Sequence, residues 1–131
     1  MRVVDVACAI ILKDHKILVA QRSDSMTLPL KWEFPGGKVN LNESEEECLQ
    51  RELKEELNIT VKIKRRLDNV MHDYGNFIIN LIPFIVVYED GNLQLTEHLD
   101  AKWFSRDELF NLDWAPADIH VLNNVLQLKF L

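Results

Sequence analysis

Residues Gly37 to Ile59 read GKVNLNESEEECLQRELKEELNI, and this segment constrains the chain more than any other. Ser44 followed by Glu47 is a capping box, which satisfies free N–H groups at a helix start, so a helix is expected from Glu45 to Leu57. Leu49, Leu53 and Leu57 then form one apolar stripe that must be buried. Glu52, Glu55 and Glu56 fall at i, i+3 and i+4 and crowd onto another face. Carboxylates placed so close repel, each like-charged pair costing a few tenths of a kcal/mol even in water. A cation is therefore expected among them. Hard carboxylate oxygens without a thiolate or histidine at ligand spacing suit Mg2+ or Mn2+ better than Zn2+. A solvated acidic face is the ordinary reading of a Glu-rich helix. The Gly36-Gly37 pair ahead of it, together with Glu43 and Arg51, argues against that reading here.

The same residues carry a family signature. Gly37, Glu43 six positions on, then Arg51, Glu52, Leu53, Glu55 and Glu56 match the Nudix box at every position but one. The departure is Asn58, where the family has a glycine that closes the helix in a left-handed conformation. Asn is the next most tolerant residue there, so the turn is expected to survive. The chain resembles a Nudix hydrolase. Outside the box, Val19 to Arg22 and Trp32 to Lys38 resemble the corresponding stretches of MutT-type nucleoside triphosphate pyrophosphohydrolases. Ala115-Pro116-Ala117-Asp118 resembles the base-contacting motif of MutT and of the related CTP pyrophosphohydrolases.

The resemblance implies Mg2+ or Mn2+ held by Glu52, Glu55, Glu56 and the Gly36 carbonyl, with Glu97 a further ligand. It implies Glu52 as general base, Glu97 as the second candidate, and Arg51 as the residue that orients a catalytic carboxylate. From its spacing Arg51 reaches Glu47 or Glu55, one helical turn away. Arg22, Phe34, Gly37, Lys38 and Asp118 would line the nucleotide pocket. Taken alone, Phe34 reads equally as core packing, Arg22 as a surface charge and Asp118 as a carboxylate favouring a helix N-terminus. An ionised Asp only accepts hydrogen bonds, which suits the N4 amino group of cytosine or N7–H of 8-oxoguanine. The implied reaction is hydrolysis of a nucleoside triphosphate to monophosphate and pyrophosphate, by water attacking the β-phosphorus. The alternatives are a Nudix hydrolase of diadenosine polyphosphates or ADP-ribose, and a Nudix-fold binding module without catalysis.

Composition agrees with a small enzyme. At 131 residues and 47% hydrophobic content a single domain over residues 1–131 is expected. A net charge of −6 argues against a basic patch for polymeric nucleic acid. Cys8 and Cys48 form no C-x-x-C and read as small core residues in a reduced, cytoplasmic protein. No apolar run is long enough to span a membrane. A monomer or weak homodimer is expected.

Strands are expected at Val3 to Leu12 and Lys16 to Arg22, joined by a hairpin at Lys13-Asp14-His15. Further strands are expected at Ile59 to Asp73, Phe77 to Tyr88, Leu93 to Thr96 and Ala101 to Phe104. Ser105 with Glu108 repeats the capping-box pattern for a short helix, and Pro116 suits the start of a last helix that buries Ile119, Leu122, Val125 and Leu126. Together these give an α/β Nudix fold, a mixed sheet packed between helices in an α/β/α sandwich.

Overall fold

The computed structural model describes residues 1–129, so the last two residues of the expected 1–131 domain lie outside the described residues. Two long strands form its spine. Strand β1 (Arg2–Lys13) and strand β7 (Phe77–Asp90) run parallel, paired from Arg2↔Phe77 to Leu12↔Val87. The middle of each is apolar without alternation, the pattern of a strand covered on both faces. Successive side chains of β1 face opposite ways: Ala7, Ala9 and Ile11 join one buried cluster while Cys8 and Ile10 join the other.

The hairpin turns at Asp14 and His15, both left-handed at φ 50° and 64°, and returns as β2 (Lys16–Gln21). Two further strands were not expected from the sequence: β3 (Trp32–Glu33), paired with β2, and β4 (Gly36–Lys38), paired with β1. The segment Ile59 to Asp73 is not one strand but two, β5 (Thr60–Arg66) and β6 (Val70–Asp73), which pair with successive parts of β7. A register shift between Ile63 and Arg65 and a hydrogen bond from Leu67 N–H to the Pro83 carbonyl, 2.8 Å, turn the chain out between them. Strand β8 (Asp100–Phe104) completes the sheet on β2.

Helix α1 (Glu45–Leu57) forms with the expected bounds, its capping box closed on both sides. Asn58 ends it in the left-handed conformation, φ 58°. Cys48, Leu49, Leu53 and Leu57 are buried in the cluster on that face of the sheet, each leucine contributing about 1.5–3 kcal/mol. Helix α2 (Pro116–Val125) covers the other face, which confirms the three-layer sandwich.

Three local expectations are corrected. Leu93 to Thr96 is not a strand: Gln94 and Thr96 instead donate backbone N–H groups to the Leu57 and Glu56 carbonyls, capping the end of α1. The Ser105–Glu108 pattern makes half a capping box, Ser105 N–H to Glu108 at 2.8 Å, and leads into a 3-10 turn at Asp107–Asn111. Helix α2 buries Ala117, Asp118, Val121, Leu122 and Val125, so its inner face is rotated away from Ile119, which is 43% exposed. Asp118, a charged residue in the sequence pattern, belongs to the buried face.

Candidate active site

The site is built where β3, β4, α1 and the start of α2 meet. Gly36 and Gly37 permit a contact that other residues would block. A Cβ on Gly36 would stand 1.9 Å from the Ala7 carbonyl oxygen, and one on Gly37 would stand 2.2 Å from the Glu52 carboxyl carbon. The second contact lays the Glu52 carboxylate directly against the β4 backbone. On the far side, Trp32 N–H donates to Asp113 at 2.8 Å and Ala115 N–H donates to Trp32 at 2.9 Å, tying β3 to the start of α2. That tie brings Asp118 to Phe34, whose N–H donates to Asp118 Oδ1 at 2.9 Å.

Between these elements lies a cavity of about 270 Å³. Arg22, Phe34, Gly36, Gly37, Lys38, Glu56 and Asp118 line it, together with Glu33 and a wall of Val6, Met26, Ile79 and Leu81. Sequence reasoning had named the first seven from separate parts of the chain. A larger cavity of about 380 Å³, beside Arg65 to Asp68, contains none of them, so chemistry and not size marks the site.

Arg51 organises the glutamates, reaching Glu55 as its spacing suggested but not Glu47. Glu47 is occupied by the capping box, and Arg51 instead grips Glu43 with two nitrogens, at 2.6 and 2.9 Å. It also donates to Glu52 at 2.7 Å and to Glu55 at 3.3 Å. The hydrogen bonds from Arg51 hold the Glu43 carboxyl down at about 2, and donating to Glu43 and Glu52 raises the Arg51 guanidinium above its usual range.

Glu56 has no such partner. Its Oε2 is shielded from solvent and has no hydrogen-bond partner among the described residues. Burial, then the charges of Glu52 and Glu33, push its carboxyl up to about 9. Glu97 is exposed on the loop that caps α1, and its charge adds to this push. Among the described residues no three His, Cys, Asp or Glu side chains converge into a ready-made cage. Arg51 draws Glu52 and Glu55 to itself, at 2.7 and 3.3 Å. An unpartnered, buried carboxylate oxygen within an acidic cluster nevertheless fits a hard divalent cation.

Two residues escaped the sequence reading. Glu33 accepts from Arg22 at 2.8 Å through one oxygen and faces His98 Nε2 at 2.8 Å through the other. Arg22 is thus half-buried in an ion pair and is no free surface charge. The His98 side chain is 1% exposed, with Nδ1 lacking a partner. A lone Glu in Trp32-Glu33-Phe34 and a histidine without ligand spacing carry no periodic signal. Phe34 is buried, with its ring 4.8 Å from Trp114, and it also lines the cavity. Asp118 is 6% exposed, and burial, then the charge of Glu33, raises its carboxyl well above the usual range.

The NUDIX domain family model matches residues 1–125. The chain belongs to the Nudix family. This Nudix protein is 37% identical over 129 residues to a CTP pyrophosphohydrolase of Escherichia coli, covering 98% of this chain and 96% of that protein. It is 29% identical over 131 residues to an 8-oxo-dGTP diphosphatase of Buchnera aphidicola, covering 99% and 98%. The solution structure of the E. coli ORF135 protein superposes with a TM-score of 0.86 at 36% identity, over 98% of this chain and 92% of that one. A MutT structure from methicillin-resistant Staphylococcus aureus gives 0.76 at 42% identity, over 96% and 98%. These relatives place the Nudix protein among the MutT-type hydrolases of phosphoric anhydrides, a family that generally needs a divalent metal.

Proposed function

We propose that this protein is a Mg2+- or Mn2+-dependent nucleoside triphosphate pyrophosphohydrolase, converting its substrate to a monophosphate and pyrophosphate. The observation that carries the reading is one cavity lined both by Phe34 and Asp118 and by Gly36, Gly37, Lys38 and Glu56. That lining suits a base beside Phe34 and Asp118 and phosphates beside the glycines, Lys38 and a metal-holding Glu56. Cytosine, as in the E. coli relative's name, and oxidised guanine, as in the Buchnera relative's, are the bases whose chemistry fits.

Glu52, Glu55, Glu56, Glu97 and the Gly36 carbonyl would hold the metal, which when bound lowers the pKa of water and neutralises charge on phosphate oxygens. Arg51 holds Glu52 in place against β4, and Glu52 is the group placed to take the proton from the attacking water, with Glu97 the alternative. Lys38 and Arg22 offer positive charge to the triphosphate in a chain whose net charge is −6. Phe34 offers its ring to the base and fixes Asp118 through its own N–H. Asp118 reads the base edge: ionised it accepts from an amino or N7–H group, and neutral it can also donate.

The protein would act on free nucleotides in the cytoplasm, not on polymeric nucleic acid, as a monomer or weak homodimer. Both cysteines are buried and free, and no helix among the described residues is long and apolar enough to cross a membrane. A panel of CTP, dCTP, 8-oxo-dGTP, dGTP, diadenosine tetraphosphate and ADP-ribose, with products identified, tests the proposal. Monophosphate and pyrophosphate from a triphosphate are expected as the dominant products. A preference for either of the last two compounds would refute it.

A further inference from the structure

His72 stands on β6 and His120 on α2, 48 residues apart in sequence, and their rings face each other where strand and helix meet. His72 Nδ1 and His120 Nε2 are 3.2 Å apart, with the ring planes inclined by 41°. Tyr74 packs edge-on against His72, its ring centroid 4.6 Å away, and its hydroxyl accepts from Ala117 N–H at 3.1 Å. His72 is thus braced by a residue itself fastened to α2. His72 is half-buried and His120 exposed, so a small ion can reach both. Neither residue lines the nucleotide cavity.

The nitrogen separation is that of two imidazoles sharing one metal. Bonds of about 2.0–2.1 Å at a tetrahedral angle place two donor nitrogens roughly 3.3 Å apart. A single N–H···N hydrogen bond accounts for the same distance, with one ring donating and the other accepting. Conversion between the two states needs only a tautomer change: the proton on the inward nitrogen leaves through solvent, another is taken up on the outward nitrogen of the same ring, and both lone pairs then point inward. Imidazole nitrogen suits Zn2+, Ni2+ and Cu2+, whereas Mg2+ takes oxygen ligands.

We propose that His72 and His120 form a second metal site, a two-imidazole chelate for Zn2+ or a similar transition ion, with water completing the coordination. The ion bridges β6 to α2 two residues beyond Asp118. Because only the folded chain presents both rings together, binding there also stabilises the fold by mass action.

The test is Zn2+ titration of the full chain in excess Mg2+, read by competition with a chromophoric chelator and by thermal melting. The parent should bind one Zn2+ at this pair, and its Tm should rise. His72→Gln and His120→Gln, which keep a polar side chain, should each weaken that binding at least about tenfold, the loss that removing even an outer partner of a metal ligand can cause. The double variant should melt at the same temperature with and without Zn2+. Equal Zn2+ affinity in parent and double variant, or no binding by the parent, overturns the proposal. Failure of the nucleotide reading would show in the substrate panel and leave this titration unchanged.

Discussion

Glu52, Glu55 and Glu56 lie within two turns of one helix, where Arg51 bonds the first two and not the third, whereas Asp118 meets its partner Phe34 from 84 residues away. The first group is a surplus of charge held close by local sequence. The second is a single carboxyl buried by the meeting of β3 and α2, and its surroundings favour the neutral form. The glutamate group thus awaits positive charge, and Asp118 can change its hydrogen-bonding character with protonation. The difference separates chemistry from recognition within a single cavity, so substitutions at the two ends should fail in different ways.

The largest effect is expected at the glutamate end. Glu56→Gln should lower kcat by at least about 100-fold, the scale on which removal of one electrostatic stabiliser acts. The same substitution should leave the metal-free protein as stable as the parent or more so, because it deletes a buried carboxylate among like charges. The pH dependence follows from the same group. Its folded carboxyl sits at about 9 against an ordinary 4.5, so the protonated form is favoured by folding. Its stabilising contribution is fully present below about 4.5 and lost as pH rises through about 9. Melting of metal-free parent should therefore fall over that window, and melting of Glu56→Gln should fall less. Equal slopes would place the unpaired charge elsewhere.

At the recognition end the expected change is in preference, not in overall rate. Asp118→Asn keeps an oxygen for the Phe34 N–H and turns a donor toward the base. The ratio of kcat/KM for dCTP or 8-oxo-dGTP to that for dGTP should fall at least about tenfold, or roughly 1.4 kcal/mol. In the parent the dCTP preference should rise with pH, because the ionised carboxyl accepts from N4 more strongly than the neutral one, which can turn a donor toward the base, and its titration is displaced upward. If all three rates fell together, Asp118 would be a structural residue of α2 and the contrast between the two ends would collapse.

Asn58→Gly should have the smallest effect. Glycine adopts the left-handed conformation more easily than Asn, but it loses the hydrogen bond from Asn58 Nδ2 to the Asn92 carbonyl, 3.0 Å. The two nearly cancel, leaving stability within about 0.5 kcal/mol by denaturant titration and activity unchanged. A large loss of activity would tie the end of α1 to the chemistry more closely than the geometry does.

What was legible in the sequence follows the same division. Helix α1 and its glutamate face rest on contacts within one turn, so Ser44, Glu47 and the Leu49–Leu53–Leu57 stripe announced them. The contact of Arg51 with Glu55 was legible from helical spacing, but its main partner, Glu43, precedes the helix and so has no such spacing. Glu33 and His98 remained hidden because their link spans 65 residues and no periodicity encodes it. Strands β3 and β4 are too short for alternation to show. Leu93 to Thr96 has strand-like composition, but its backbone donors were claimed by the carbonyl groups at the end of α1. Resemblance supplied Asp118 and Arg22 where spacing could not.

The most direct test of the central claim is turnover of CTP and 8-oxo-dGTP with Mg2+ in 18O-labelled water, with the products separated and weighed by mass spectrometry. Monophosphate and pyrophosphate are expected, with the label in pyrophosphate, as attack on the β-phosphorus requires. Diphosphate with labelled orthophosphate, or no turnover of any triphosphate in saturating metal, would contradict the account.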